Sequence, residues 1–167
     1  MTGDGKGIVV VGLGNSHRTD DGVGVAAAAA LDELALPHVR VVTGIAEPLS
    51  LLEAWSGAGL AVVIDAAAAT PSVPGRIRRC TLADVDGAPD GLSSHGVDLP
   101  GAHALGQVLG RAPDALVIFT IDVADIGHGL GLTPRVARAV PKVVDMVVAE
   151  INRKWPIARR PRRPASR

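Results

Sequence analysis

Short apolar runs rich in β-branched residues alternate along this chain with longer segments of mixed polarity. Residues 8–11, bounded by glycines, read as a buried strand. Residues 21–36 are alanine-rich and predict a helix. Residues 39–42 predict a second strand, and 48–55 carry helical apolar spacing. Residues 60–64 predict a third strand that stops at Asp65. Residues 75–82, diluted by Arg76, Arg78 and Arg79, predict an edge strand. Residues 83–97 are rich in Gly, Asp and Ser and predict a long loop, a kind of segment that is often functional. Residues 101–109 predict a helix, 115–121 a strand, and 123–132 a glycine-rich loop. Thr133-Pro134 marks a helix start, with Thr as N-cap and Pro at the first helical position. That helix is expected to run to about Asn152 with a kink at Pro141. Strands alternating with helices imply α/β architecture, a mainly parallel sheet covered on both faces.

Composition narrows the core and the partners. The 167 residues suit one domain. Trp55, Phe119 and Trp155 are the only aromatic residues, so the core must be Val, Ile, Leu and Ala. The same scarcity argues against a nucleic-acid surface built on stacking rings. Cys80 is the sole cysteine, which excludes an intrachain disulfide and a cysteine zinc cluster. No apolar run reaches transmembrane length, and the first residues lack a signal-peptide pattern, so a cytoplasmic protein is expected.

The net charge of zero hides an asymmetry. Residues 153–167 hold seven of the 17 basic residues and no acidic one, which leaves residues 1–152 acidic overall. With Pro156, Pro161 and Pro164, this end reads as a disordered basic tail on a domain of residues 1–152. A role in binding an acidic surface is the other reading.

Ligands of such sheets bind outside the carboxyl ends of the strands. Two acidic features fall there. Gly12-Leu-Gly14-Asn15 leads into Asp20-Asp21-Gly22, and Asp65 follows the third apolar run. A dinucleotide fingerprint would need glycine at position 17, which is His17, and two carboxylates there would repel a pyrophosphate. Asp20 and Asp21 also suit helix capping, and Asp65 suits a solvated strand end. His95 stands at the end of the long loop, where a lone histidine is usually just exposed. Taken together, Asp21, Asp65 and His95 supply two carboxylates and an imidazole, donors that suit zinc or nickel with coordination positions left open. His103 is the competitor for the imidazole role. His17, His38 and His128 have no partner pattern. Cys80 reads as a small, partly buried residue rather than a nucleophile, and no Gly-x-Ser-x-Gly elbow is present.

Across residues 7–152 the chain resembles the maturation endopeptidases of nickel–iron hydrogenases. Val11-Gly-Leu-Gly-Asn15 with Asp20-Asp21-Gly22-Val-Gly24 is similar to the family's signature. Ile64-Asp65-Ala66 leading to Pro74-Gly75, then Ser94-His95, resemble its second and third motifs. Gly131-Leu-Thr133-Pro134 with Val136, Pro141 and Glu150 resembles its closing helix.

The resemblance implies a three-layer α/β/α sandwich around a twisted, mostly parallel sheet. It implies an endopeptidase that removes the C-terminal extension of a hydrogenase large-subunit precursor after nickel insertion. By motif, the metal-binding residues map onto Asp21, Asp65 and His95. The nickel is implied to arrive with the precursor, with zinc or another divalent ion as a substitute. The expected partner is that precursor, with no membrane and no nucleic acid, and the expected state is a monomer. The alternative function is a non-catalytic metal- or nucleotide-binding α/β assembly module.

Overall fold

In the computed structural model, which describes residues 6–86 and 97–154, five strands form one sheet in the order β2-β1-β3-β5-β4. The strands are β1 (Ile8–Gly12), β2 (Val39–Val42), β3 (Leu60–Ala67), β4 (Ile77–Cys80) and β5 (Ala115–Asp122). The helices are α1 (Val23–Glu33), α2 (Pro48–Trp55), α3 (Leu82–Asp86), α4 (Leu99–Val108) and α5 (Pro134–Lys154). All pairings are parallel except β4 with β5, which is antiparallel. Residues 155–167 and His95 lie outside the described residues.

Strand periodicity divides the core into two layers. Ile8, Val10, Val62, Ile64, Phe119 and Ile121 face one way and pack with Val23, Ala27, Leu31, Val136, Val143 and Val147 from α1 and α5. Val9, Val11, Ala61, Val63 and Ile118 face the other way and pack with Leu51, Trp55, Leu99 and Ala102 from α2 and α4. β1 and β3 are buried along their whole length, as strands covered on both faces must be. β2 and β4 sit at the edges, and β4 is the diluted edge strand that its arginines predicted.

Four local features differ from the sequence reading. β3 does not stop at Asp65. Its ladder with β5 continues through Asp65↔Thr120 and Ala67↔Asp122, so Asp65 lies inside a strand and is 2% exposed. Asp21 is not the first residue of a helix. It belongs to a 3-10 turn, Thr19–Gly22, and α1 starts at Val23 with Gly22 as a cap that offers no side chain. The stretch expected to be loop from residue 83 holds α3, whose start is tied by the Asp84 side chain: Thr81 donates both its N–H and its hydroxyl to Asp84 Oδ2. Those bonds hold the Asp84 carboxyl below its usual pKa. α4 begins at Leu99 rather than residue 101, because the Asp98 side chain caps it by accepting the Gly101 N–H at 2.9 Å.

α5 includes Pro141 and runs to Lys154, two residues beyond the expected end. Its last turn is fastened by Glu150, which is 4% exposed and pairs with Arg79 of β4 and with Arg153. The arginine hydrogen bonds pull the Glu150 carboxyl down to about 2. Arg79 is raised in return.

Candidate active site

The carboxyl end of the sheet is assembled around glycines. A Cβ on Gly24 would lie 2.4 Å from both the Leu13 and the Ile64 carbonyl oxygens, and one on Gly12 would lie 2.5 Å from the Gly24 carbonyl oxygen. No side chain fits at either place, so the first turn of α1 rests directly on the ends of β1 and β3. The turn that carries Asp20 and Asp21 also packs against β3.

Backbone hydrogen bonds then tie the two predicted carboxylates to one segment. Leu13 donates its N–H to the Ile64 carbonyl at 2.9 Å, one residue before Asp65. Asn15 donates its N–H to Asp21 Oδ2 at 3.2 Å. Asp65 accepts the Ala66 N–H at Oδ1, 2.8 Å away. Asp21 and Asp65 therefore stand at the same sheet end, linked through Leu13–Asn15, and both are buried. The N-cap position of α1 falls on Gly22 rather than Asp21, and Asp65 is not a solvated strand end.

The third predicted residue, His95, lies outside the described residues. Among the described residues, no three His, Cys, Asp or Glu side chains form a group suited to a metal ion. The described chain resumes at Val97, which is buried in the same layer as Val11, Leu13 and Val63.

The rival histidine is placed elsewhere. His103 of α4 meets the Trp55 ring edge-on, with centroids 6.3 Å apart and planes at 77°. Trp55 ends α2 just before β3 begins, so His103 sits toward the amino end of the sheet, away from Asp65. His17, His38 and His128 are exposed. Cys80 is buried, with its sulfur 4.0 Å from Thr120 Oγ1, and burial pushes its thiol pKa up, the opposite of an activated nucleophile.

Two features escaped the sequence reading. Asp20 is fully buried and accepts hydrogen bonds from the N–H groups of Ala124, Asp125 and Thr133 and from the Thr133 hydroxyl. It holds the loop after β5 against the turn that presents Asp21. The Asp-Asp pair was visible, but only the fold assigns the two residues different directions. Asp122, also fully buried, receives Arg76 and stands 3.6 Å from Arg78. A hollow of about 450 Å³ adjoins the β1 loop, lined by Gly14, Asn15, Ser16 and the segment after β2 from Thr43 to Ala46.

An α/β/α sandwich of this topology is shared with solved peptidase structures. The hydrogenase maturating endopeptidase HybD from E. coli superimposes with a TM-score of 0.79 at 21% identity, over 89% of this chain and 94% of that one. The [NiFe] hydrogenase maturation protease HybD from Thermococcus kodakarensis gives 0.71 at 24% identity, over 86% and 98%. A hydrogenase 3 maturation protease gives 0.64 at 19% identity, over 84% and 88%. No curated protein matches the chain by sequence. The family model of the HycI hydrogenase maturation proteases matches residues 25–150, and the chain belongs to that family. It is thus a peptide-bond hydrolase of hydrogenase maturation, and the assembly-module alternative falls away. No helix among the described residues is long and apolar enough to cross a membrane.

Proposed function

We propose that this protease removes the C-terminal extension of a nickel–iron hydrogenase large-subunit precursor after nickel insertion, and that Asp21, Asp65 and His95 receive the precursor's nickel. The observation that carries the reading is the pairing of two buried carboxylates at one sheet end, joined through Leu13–Asn15. Two such groups beside the ends of β1 and β3 stand where α/β sheets bind ligands. His95 stands two residues before Val97 in the chain, and it would add the nitrogen donor.

The chemistry follows from the donor set. Two carboxylates and one imidazole leave positions open on a divalent ion, so they can complete the shell of a nickel already held by the precursor. Recognition then depends on the ion and the docking surface rather than on a side-chain pocket. The ion supplies Lewis acidity beside the scissile bond. Asp21 and Asp65 fix its position, because the glycine-packed junction below them leaves little room to shift. The protease acts in the cytoplasm as a monomer, before the precursor is closed.

The test is cleavage of nickel-loaded precursor by the full chain and by Asp21→Asn, Asp65→Asn and His95→Ala. Each substitution should abolish processing while circular dichroism and melting stay near wild type. His103→Ala should cleave normally. An Asp21→Asn or Asp65→Asn protein that processes precursor at the wild-type rate would remove the proposed site.

A further inference from the structure

The register across the sheet puts an arginine in the same row as Asp65. Asp65 pairs with Thr120 in β5, and Thr120 pairs with Arg78 in β4. Laterally paired residues project from the same face, so Asp65, Thr120 and Arg78 share the face covered by α2 and α4. Two strand spacings separate Asp65 from Arg78, roughly 10 Å between their Cα atoms. An arginine side chain and a bound peptide together span that gap.

Arg78 is poorly engaged. Its side chain is 38% exposed, and its one ion pair among the described residues is to Asp122 Oδ2 at 3.6 Å, beyond hydrogen-bond distance. Arg76 already holds the same Oδ2 through Nε at 3.1 Å and Nη2 at 3.0 Å, and Val73 donates its N–H there too. Arg79 points to the opposite face and binds Glu150. Two guanidinium groups thus face one carboxylate, and Arg78 makes no hydrogen bond among the described residues. A half-buried guanidinium with five donors and surplus charge is suited to a carboxylate supplied from outside.

We infer that Arg78 is a substrate-positioning residue that pairs with a carboxylate of the precursor and orients its chain along the β4 side of Asp65. This rests on the reading that Asp65 faces the substrate. The carboxylate has two sources, an acidic side chain near the cleavage point or the terminal carboxylate of the extension.

The experiment is steady-state cleavage of nickel-loaded precursor by the full chain and its Arg78→Gln and Arg78→Lys variants, with melting curves as control. Losing one charge-assisted contact should raise KM roughly tenfold or more while kcat stays within about twofold. Arg78→Lys should recover part of the loss, since it keeps the charge without the planar fork. Precursors with extension acids changed to amides, and a semisynthetic precursor ending in a carboxamide, distinguish the sources. The one that removes the partner should be cleaved equally by wild type and Arg78→Gln. An unchanged KM, a fall in kcat alone with a lowered melting temperature, or a KM penalty that persists with both altered precursors would each overturn the inference. Failure of the Asp65 reading is seen separately, as wild-type cleavage by Asp65→Asn.

Discussion

Asp20 and Thr133, 113 residues apart, are joined twice: the Thr133 N–H reaches Asp20 Oδ1 at 2.7 Å, and its hydroxyl shares one proton between the two carboxylate oxygens, 2.9 and 2.8 Å away. The threonine at the head of α5 thus spends its side chain on a tertiary contact. Ala124 and Asp125 add their N–H groups to Asp20 Oδ2. The carboxylate gathers the loop between β5 and α5 and holds it to the turn that positions Asp21.

Asp20→Asn should therefore destabilise the protein strongly. An amide keeps the shape but turns an NH₂ toward donors that need an acceptor. Contacts to a charged acceptor contribute about 1.5–3 kcal/mol each, so a net loss of about 3 kcal/mol is expected once neighbours relax. Urea denaturation measures it.

Gly24→Ala tests the glycine junction. The added methyl would meet two backbone carbonyl oxygens, which cannot rotate away. The substitution should cost about 2–4 kcal/mol despite alanine's better helix propensity, because overpacking against backbone outweighs a gain of about 1 kcal/mol. Any folded variant should also process precursor poorly, since α1 would ride up and carry Asp21 with it. Ala29→Gly, on the exposed face of the same helix, is the control and should lose only its propensity.

Glu150 predicts an acid-labile limb. Arg79 and Arg153 pull its carboxyl down to about 2, below the ordinary glutamate value of 4.5, so the ion pair stabilises the fold above pH 4.5. Stability is lost as pH falls through that window toward 2. Exposure of Arg79 and Arg153 at 41% and 63% screens the pairs, so about 1–2 kcal/mol is expected rather than the full shift. Stability curves between pH 2 and 6 should flatten in Glu150→Gln, whose stability at neutral pH is lower.

Metal content separates a substrate-borne ion from a resident one. Three ligands with no cysteine make a weak open site compared with a closed structural site. After mild dialysis, elemental analysis should find substoichiometric nickel and zinc in the free protein. One tightly held ion per chain would identify a conventional metallopeptidase.

The sequence by itself determined the order of the strands, the helices other than α3, and the α/β class, because short apolar runs rich in β-branched residues fit buried strands when helical segments separate them. The edge position of β4 was legible in its arginines, and the residues of the site resemblance were legible in short motifs. What only the tertiary structure decided were directions and ends. Asp65 became an interior strand residue because β5 extends its ladder past the apolar run, a partner that local hydrophobicity does not encode. Asp20 and Asp21 look equivalent in sequence, yet the 3-10 turn sends one carboxylate to the loop before α5 and the other to the β1 loop. The burial of Glu150 and Asp122 was likewise hidden, since their arginine partners lie 71 and 46 residues away. Local pattern reports which residues want to be buried, whereas long-range pairing settles which charged groups can be buried with them.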